Sequence, residues 1–339
     1  MKGRISFMVS IAAALLLVSS AAVGQYTLTN LVSNQAGQAK HTDPLLVNAW
    51  GLTYAPGNPF WISDEGSGWS TLYNGNGIKQ GLEVVVPPVS GSGTGSPTGI
   101  VFNGSQQFNV QGWPAIFLFA TLDGTISGWA PQSNPNQAII AVSNTTAVYT
   151  GLAITSYASG NFLFAADNAN NKVDVYDGNF NFVTSFTDTT LPAGFAPFGI
   201  QDINGIVYVT FARTNGGSGG YVDIFTESGI FVKTLIANGA LNQPWGIAPA
   251  PPNFGPLSNT LLISDNLNTD GAINGYNMAS GQFVGKVRDT NNKVIEIDQL
   301  WGIMFGGGTQ NNGGTGELFF TAGPNNNQNG TFGVIQVAK

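Results

Sequence analysis

Cysteine is absent from the 339-residue chain, and histidine occurs once, at His41. Without thiols there are no disulfides and no thiolate-rich zinc sites, and a single imidazole excludes a multi-histidine metal centre. A Ser-His-Asp triad would have to rely on His41 alone. Charge is scarce too, at 9% of residues, with 11 Lys and Arg against 18 Asp and Glu. Such a balance leaves no basic footprint for phosphates and argues against a nucleic-acid partner. After the N-terminus no run of about 18 apolar residues occurs, so no membrane span is expected there.

What the chain does have begins with an export signal. Lys2 and Arg4 precede an apolar run over residues 5–18, and Ala22-Val23-Gly24 resembles a small-x-small cleavage site. This reading assigns residues 1–24 to a signal peptide and 25–339 to one secreted domain, periplasmic or extracellular and monomeric. Glycine is abundant, with 46 residues, as tight turns built from uncharged polar residues require.

A repeat decides the fold. AWGLTY (49–54), PTGIVF (97–102), TGLAIT (150–155), PFGIQD (197–202), PWGIAP (244–249) and LWGIMF (300–305) share a glycine followed by an aliphatic residue. The glycines, Gly51, Gly99, Gly151, Gly199, Gly246 and Gly302, are spaced by 48, 52, 48, 47 and 56 residues, one four-stranded blade apiece. Each is followed by a β-branched and aromatic run bounded by Gly, Asn or Asp, such as PFWISD (59–64) and TLLISD (260–265). Third strands follow in all six repeats and outer strands in five. The sixth repeat lacks an outer strand, and YTLTNLVSNQ (26–35) is placed to supply it. The expected fold is an all-β, six-bladed β-propeller of four-stranded antiparallel blades, closed by its N-terminal strand, so that neither end leaves a long unpaired edge.

FLFAADNANNKVDVYD (162–177) resembles an NHL-type blade, with an Asp closing the second strand and an Asn pair opening the third. Residues 30–52, 61–75, 300–306 and 318–324 resemble a family of secreted bacterial propellers, some of whose members carry a C-terminal PEP-CTERM sorting signal. The chain ends at VIQVAK, so that sorting route is not implied. The resemblance implies fold and export and brings no established activity.

In a propeller, the loops leading into the inner strands and those joining second to third strands gather on one face around the axis, the expected binding surface. The first set carries Asn48, Trp50, Thr98, Thr150, Phe198, Trp245 and Trp301. The second carries Asp64, Glu65, Asp123, Asp167, Asn168, Arg213, Asp265 and Asn266. Asp64, Asp123, Asp167 and Asp265 read as one repeat position, with Arg213 in the equivalent place of the fourth blade. Two readings stand: turn carboxylates accepting backbone N–H bonds, or oxygen ligands for calcium, with Asp64, Asp167 and Asp265 as the candidate set. The tryptophans are either a rim for stacking on ligands or wedges between neighbouring blades, and their recurrence with the fold favours the wedge. His41 lies with Lys40 and Asp43 in a polar loop. No phosphate loop is present, because no Gly-rich stretch carries the Lys-Ser/Thr pattern.

Two function classes follow. The first is a non-catalytic binding or scaffold module that presents this face to an extracellular polymer, a small polar ligand or a surface protein. The second is a calcium-assisted lactonase or other hydrolase at the channel mouth, needing a carboxylate base such as Glu65 or Asp123 beside the metal. Nothing in the spacing singles out such a base, and the module is favoured.

Overall fold

The computed structural model describes residues 25–157, 160–266 and 271–339; the expected export signal, 1–24, lies outside the described residues. Six antiparallel sheets of four strands or more form the ring, one per repeat, and we number the blades 1 to 6 by their inner-strand glycines. Blade 1 runs Ala49–Tyr54, Phe60–Asp64, Trp69–Tyr73 and Lys79–Val85 from the axis outward, and blades 2 to 5 repeat that order. Blade 6 takes Leu300–Phe305, Leu318–Ala322 and Thr331–Val337 from the C-terminal end and Tyr26–Ser33 from the N-terminal end. The closing strand is antiparallel to Thr331–Val337, from Tyr26↔Val337 to Ser33↔Thr331, with an irregularity between Asn30 and Val32. Beyond it, His41–Thr42 adds a short parallel strand that covers part of the outer edge.

The inner glycines are required by how closely the blades approach at the axis. A Cβ on Gly246 would lie 2.8 Å from the Trp301 carbonyl, and one on Gly302 would lie 2.9 Å from the Trp50 carbonyl. On Gly199 it would overlap the Trp245 carbonyl. Each glycine thus meets the next blade's inner strand, and Gly302 meets the first blade again, closing the ring.

Apolar burial follows the same geometry. Six clusters are buried, and each joins two adjacent blades. Leu31 and Val32 of the closing strand pack with Phe319 and Phe332 of blade 6 and Phe60 and Tyr73 of blade 1. Tyr26 joins the cluster between blades 5 and 6. The core is therefore a ring of seams, and the N-terminal strand belongs to two of them.

Candidate functional site

The aliphatic residue after each inner glycine, Leu52, Ile100, Leu152, Ile200, Ile247 or Ile303, lines the axial channel and leaves a cavity of only about 40 Å³. That is room for about one water and for no substrate. A binding surface must therefore sit on a face of the ring.

On the expected face the aromatic residues before the glycines converge. Trp50 and Trp301 stack with ring centres 3.7 Å apart, and Trp245 and Phe198 close around them edge-on, each 6.4 Å from Trp50. Trp50 belongs to blade 1, Phe198 to blade 4 and Trp245 to blade 5, so these contacts cross the axis. The expected inter-blade wedge is corrected accordingly: the rings are long enough to span the narrow channel, and they meet over its mouth. Trp245 Nε1 donates to the Thr150 carbonyl of blade 3 at 2.9 Å, and Trp301 Nε1 donates to Asn48 Oδ1 at 2.9 Å. Asn48 is held in a left-handed conformation with φ 46°, and its Nδ2 donates to Glu65 Oε2 at 2.6 Å. Trp50 Nε1 is buried and has no hydrogen-bond partner among the described residues. Trp245 and Phe198 stay half-buried at the surface of the cap.

The aspartates do not share one register. Asp64, Asp167 and Asp265 pair with Ala49, Tyr149 and Pro244, two residues before their glycines, whereas the same ladder position holds Thr121 in blade 2 and Phe211 in blade 4. Asp123 and Arg213 lie two residues further on, which corrects the equivalence read from the sequence. In blade 4 the ladder continues through Ala196↔Ala212 to Phe195↔Arg213, two pairs further at this end than in the other blades.

Nor do the aspartates converge; among the described residues no group of three or more His, Asp or Glu is arranged to hold a metal ion. Asp167 accepts the Val148 N–H at 3.1 Å, Asp265 the Asn242 N–H at 2.9 Å and Asp123 the Val89 N–H at 3.1 Å, each fixing the loop that enters its own blade. Asp64 accepts Thr71 Oγ1 at 2.8 Å, while its other oxygen is buried without a partner. Burial raises the Asp64 carboxyl well above the usual carboxylate range and pushes Asp265 up to about 7. The amides are committed as well: Asn168 Nδ2 donates to the Pro197 carbonyl at 3.0 Å and Asn266 Nδ2 to the Leu300 carbonyl at 3.1 Å, each tying its blade to the next.

Arg213 replaces a carboxylate tie with another device. Its guanidinium lies 4.5 Å from the centre of the Phe195 ring, and its Nε donates to the Ser218 carbonyl at 2.8 Å. Asp43, close to Lys40 and His41 in sequence, accepts the Tyr73 hydroxyl at 2.6 Å and the Lys79 ammonium at 2.8 Å. His41 sits beside Val32 in the short parallel pairing.

A series of hydroxyl ties between blades was missed from sequence. Thr210 and Ser264, on second strands, accept the N–H of their own blade's inner glycine and donate to the carbonyl preceding the next blade's glycine, that of Trp245 and Trp301 respectively. Thr321 does the same from Gly302 to Trp50, so the ties run from blade 4 through blades 5 and 6 to blade 1, where the matching Ser63 hydroxyl is buried without a partner among the described residues. In blade 2, Thr98 donates to the Tyr149 carbonyl at 2.7 Å from the inner strand instead.

No protein-family model matches the chain. An uncharacterized protein of Acanthamoeba polyphaga mimivirus is 31% identical over 337 residues, covering 93% of this chain and 81% of that protein. A second uncharacterized mimivirus protein is 27% identical over 305 residues, covering 83% and 79%. Among solved structures, virginiamycin B lyase from Staphylococcus aureus superposes with a TM-score of 0.51 at 14% identity, over 93% of this chain and 100% of that one. A gluconolactonase from Xanthomonas campestris gives 0.53 at 12% identity, over 87% and 89%. At such identities these two show the propeller fold alone. The chain belongs to the family of the 31%-identical mimivirus protein.

Proposed function

We propose that the mature chain is an exported, non-catalytic binding or scaffold propeller, NHL-like in its blades, that presents the aromatic-capped face to an extracellular polymer or surface partner. The observation carrying this reading is the cross-axis cluster of Trp50, Phe198, Trp245 and Trp301. It closes the channel, and it leaves Trp245 and Phe198 half-buried at the surface. Aromatic rings at a protein surface suit stacking on a saccharide. Each candidate oxygen ligand, by contrast, is used within its own blade or seam. Export rests on the signal-like residues 1–24.

The test is affinity electrophoresis through gels containing soluble polysaccharides, comparing wild type with Trp245→Ala and Phe198→Ala. Retardation of wild type that both substitutions reduce is the expected result. Retardation unchanged by either variant would overturn the site. So would calcium-dependent turnover of a lactone panel that disappears in Asp64→Ala, because it would make the face catalytic.

A further inference from the structure

We propose that the groove between blades 4 and 5 is an oxyanion site, built on Arg213 and Lys286, for the carboxylate, sulfate or phosphate group of a ligand. The groove encloses about 560 Å³. In a chain of net charge −7 with 11 basic residues, two of them line this one groove, and no acidic residue does among the described residues. It lies outside the aromatic cap, and the proposal does not depend on the cap binding anything.

The arrangement of Arg213 is what a bound anion needs. Stacking on buried Phe195 fixes the plane of the guanidinium, and the bond from Nε to the Ser218 carbonyl fixes its rotation. Among the described residues its terminal nitrogens make no hydrogen bond, leaving two parallel donors, the geometry that grips an oxyanion through two oxygens. Lys286 comes from the opposite wall, on the outer strand of blade 5, where it pairs with Asn274. The carboxyl of Asp265 is engaged in bonds with the Asn242 N–H and Asn274 Nδ2. Burial raises the Asp265 carboxyl to about 7 against the opposing effect of the Lys286 charge.

The floor of the groove adds dipoles. Asn238 and Gly239 both hold left-handed conformations, with φ of 52° and 64°, and among the described residues the N–H groups of Gly239 and Ala240 make no hydrogen bond. Successive unpaired backbone N–H groups in such a turn form an anion-binding concavity. Asn242 Oδ1 is buried without a partner, and rotating that amide would place Nδ2 there instead.

The chain offers a clean readout, because Arg213 and Arg288 are the only arginines in residues 25–339. The experiment titrates the ¹⁵N-labelled mature protein with sulfate, phosphate or glucuronate at constant ionic strength. It follows the two arginine Nε–Hε signals and the Gly239 and Ala240 amides. The expected result is a saturable shift at Arg213, Gly239 and Ala240, with Arg288 unmoved. Lys286→Ala should weaken the apparent affinity by about threefold, the scale of one exposed charge pair. Arg213→Lys, which keeps the charge and loses the fork, should weaken it further as read at the amides. Saturation by sulfate and phosphate but not glucuronate would assign a tetrahedral group; saturation by all three would assign oxyanions generally. Shifts that never saturate, shifts of both arginines together, or variants that titrate like wild type would overturn the proposal.

Discussion

Ring closure makes Tyr26 the residue whose loss should reveal most about how this propeller holds together. Its hydroxyl donates to the Phe254 carbonyl at 2.8 Å and accepts the Leu257 N–H at 3.1 Å, linking the closing strand to the blade 5 loop. Its ring packs 4.7 Å from Phe254, and its own N–H bonds the Arg288 carbonyl. Burial pushes the phenol up to about 12, so it stays protonated and able to donate across any workable pH. Tyr26→Phe keeps the ring and strands two buried backbone groups, each costing about 1–3 kcal/mol. With partial relaxation the loss should be about 2–4 kcal/mol, and at roughly 2 °C per kcal/mol for a domain this long, Tm should fall by about 4–8 °C. Tyr26→Ala adds a large-to-small core substitution of about 3–5 kcal/mol and should lower Tm by more than about 10 °C. Deleting residues 25–36 removes the whole ladder against Thr331–Val337, exposes that strand as a free edge and strips Leu31 and Val32 from the blade 6–blade 1 seam. That protein should aggregate or lose hydrogen-exchange protection across 331–337. Calorimetry and exchange on the three variants check the reasoning. A Tyr26→Phe protein melting within 1 °C of wild type (about 0.5 kcal/mol) would refute the pin, and a deletion variant melting like wild type would refute closure itself.

Stability should fall as pH rises from about 4 to 7, the reverse of the common pattern. Burial lifts Asp265 and Asp223 to about 7, above their unfolded values, and the neighbouring Asp188 raises Asp223 further. Both groups therefore bind protons more tightly when folded, and the stabilisation present at low pH is lost as pH climbs through the folded value, by about 4 kcal/mol per group at most. Asp265→Asn should flatten the Tm–pH curve measured by scanning calorimetry, because Asn274 can rotate its unpartnered Oδ1 toward the new amide; an unchanged slope would contradict this. Gly199→Ala should cost at least about 1–3 kcal/mol through overlap at the Trp245 carbonyl, read as a lower urea midpoint, whereas Gly239→Ala, with nothing near its Cβ, should lose only the strain of a positive φ. The exported protein should begin at Gln25, which N-terminal sequencing of secreted material determines; a start at Met1 would remove the export reading.

Much of the fold was legible because its requirement is local and repeats. Only glycine fits where one inner strand meets the next, so the blade count, the register and the place of the closing strand can be read from one residue type. The candidate site was less legible, for three physical reasons. Asp123 and Arg213 differ from the true ladder position by two residues, and a shift of two keeps the same side of a strand, so alternation of apolar and polar residues gives no sign of it. Whether an aromatic before the glycine wedges between blades or crosses the axis depends on the channel radius against the length of an indole, and a pattern along the chain carries no information about that radius. The hydroxyl ties did leave a signal, since Thr210, Ser264 and Thr321, with Ser63 in blade 1, each sit one residue before the second-strand position that pairs two residues ahead of the inner glycine, but a small polar residue there reads as strand chemistry until its partner across the seam is known. What separates the two kinds of residue is where their partners lie. The glycines are constrained by backbone, which is the same in every blade, so their pattern survives in sequence. The aromatics, carboxyls and Arg213 are constrained by particular side chains one or more blades away, and those constraints become visible only when the ring is closed.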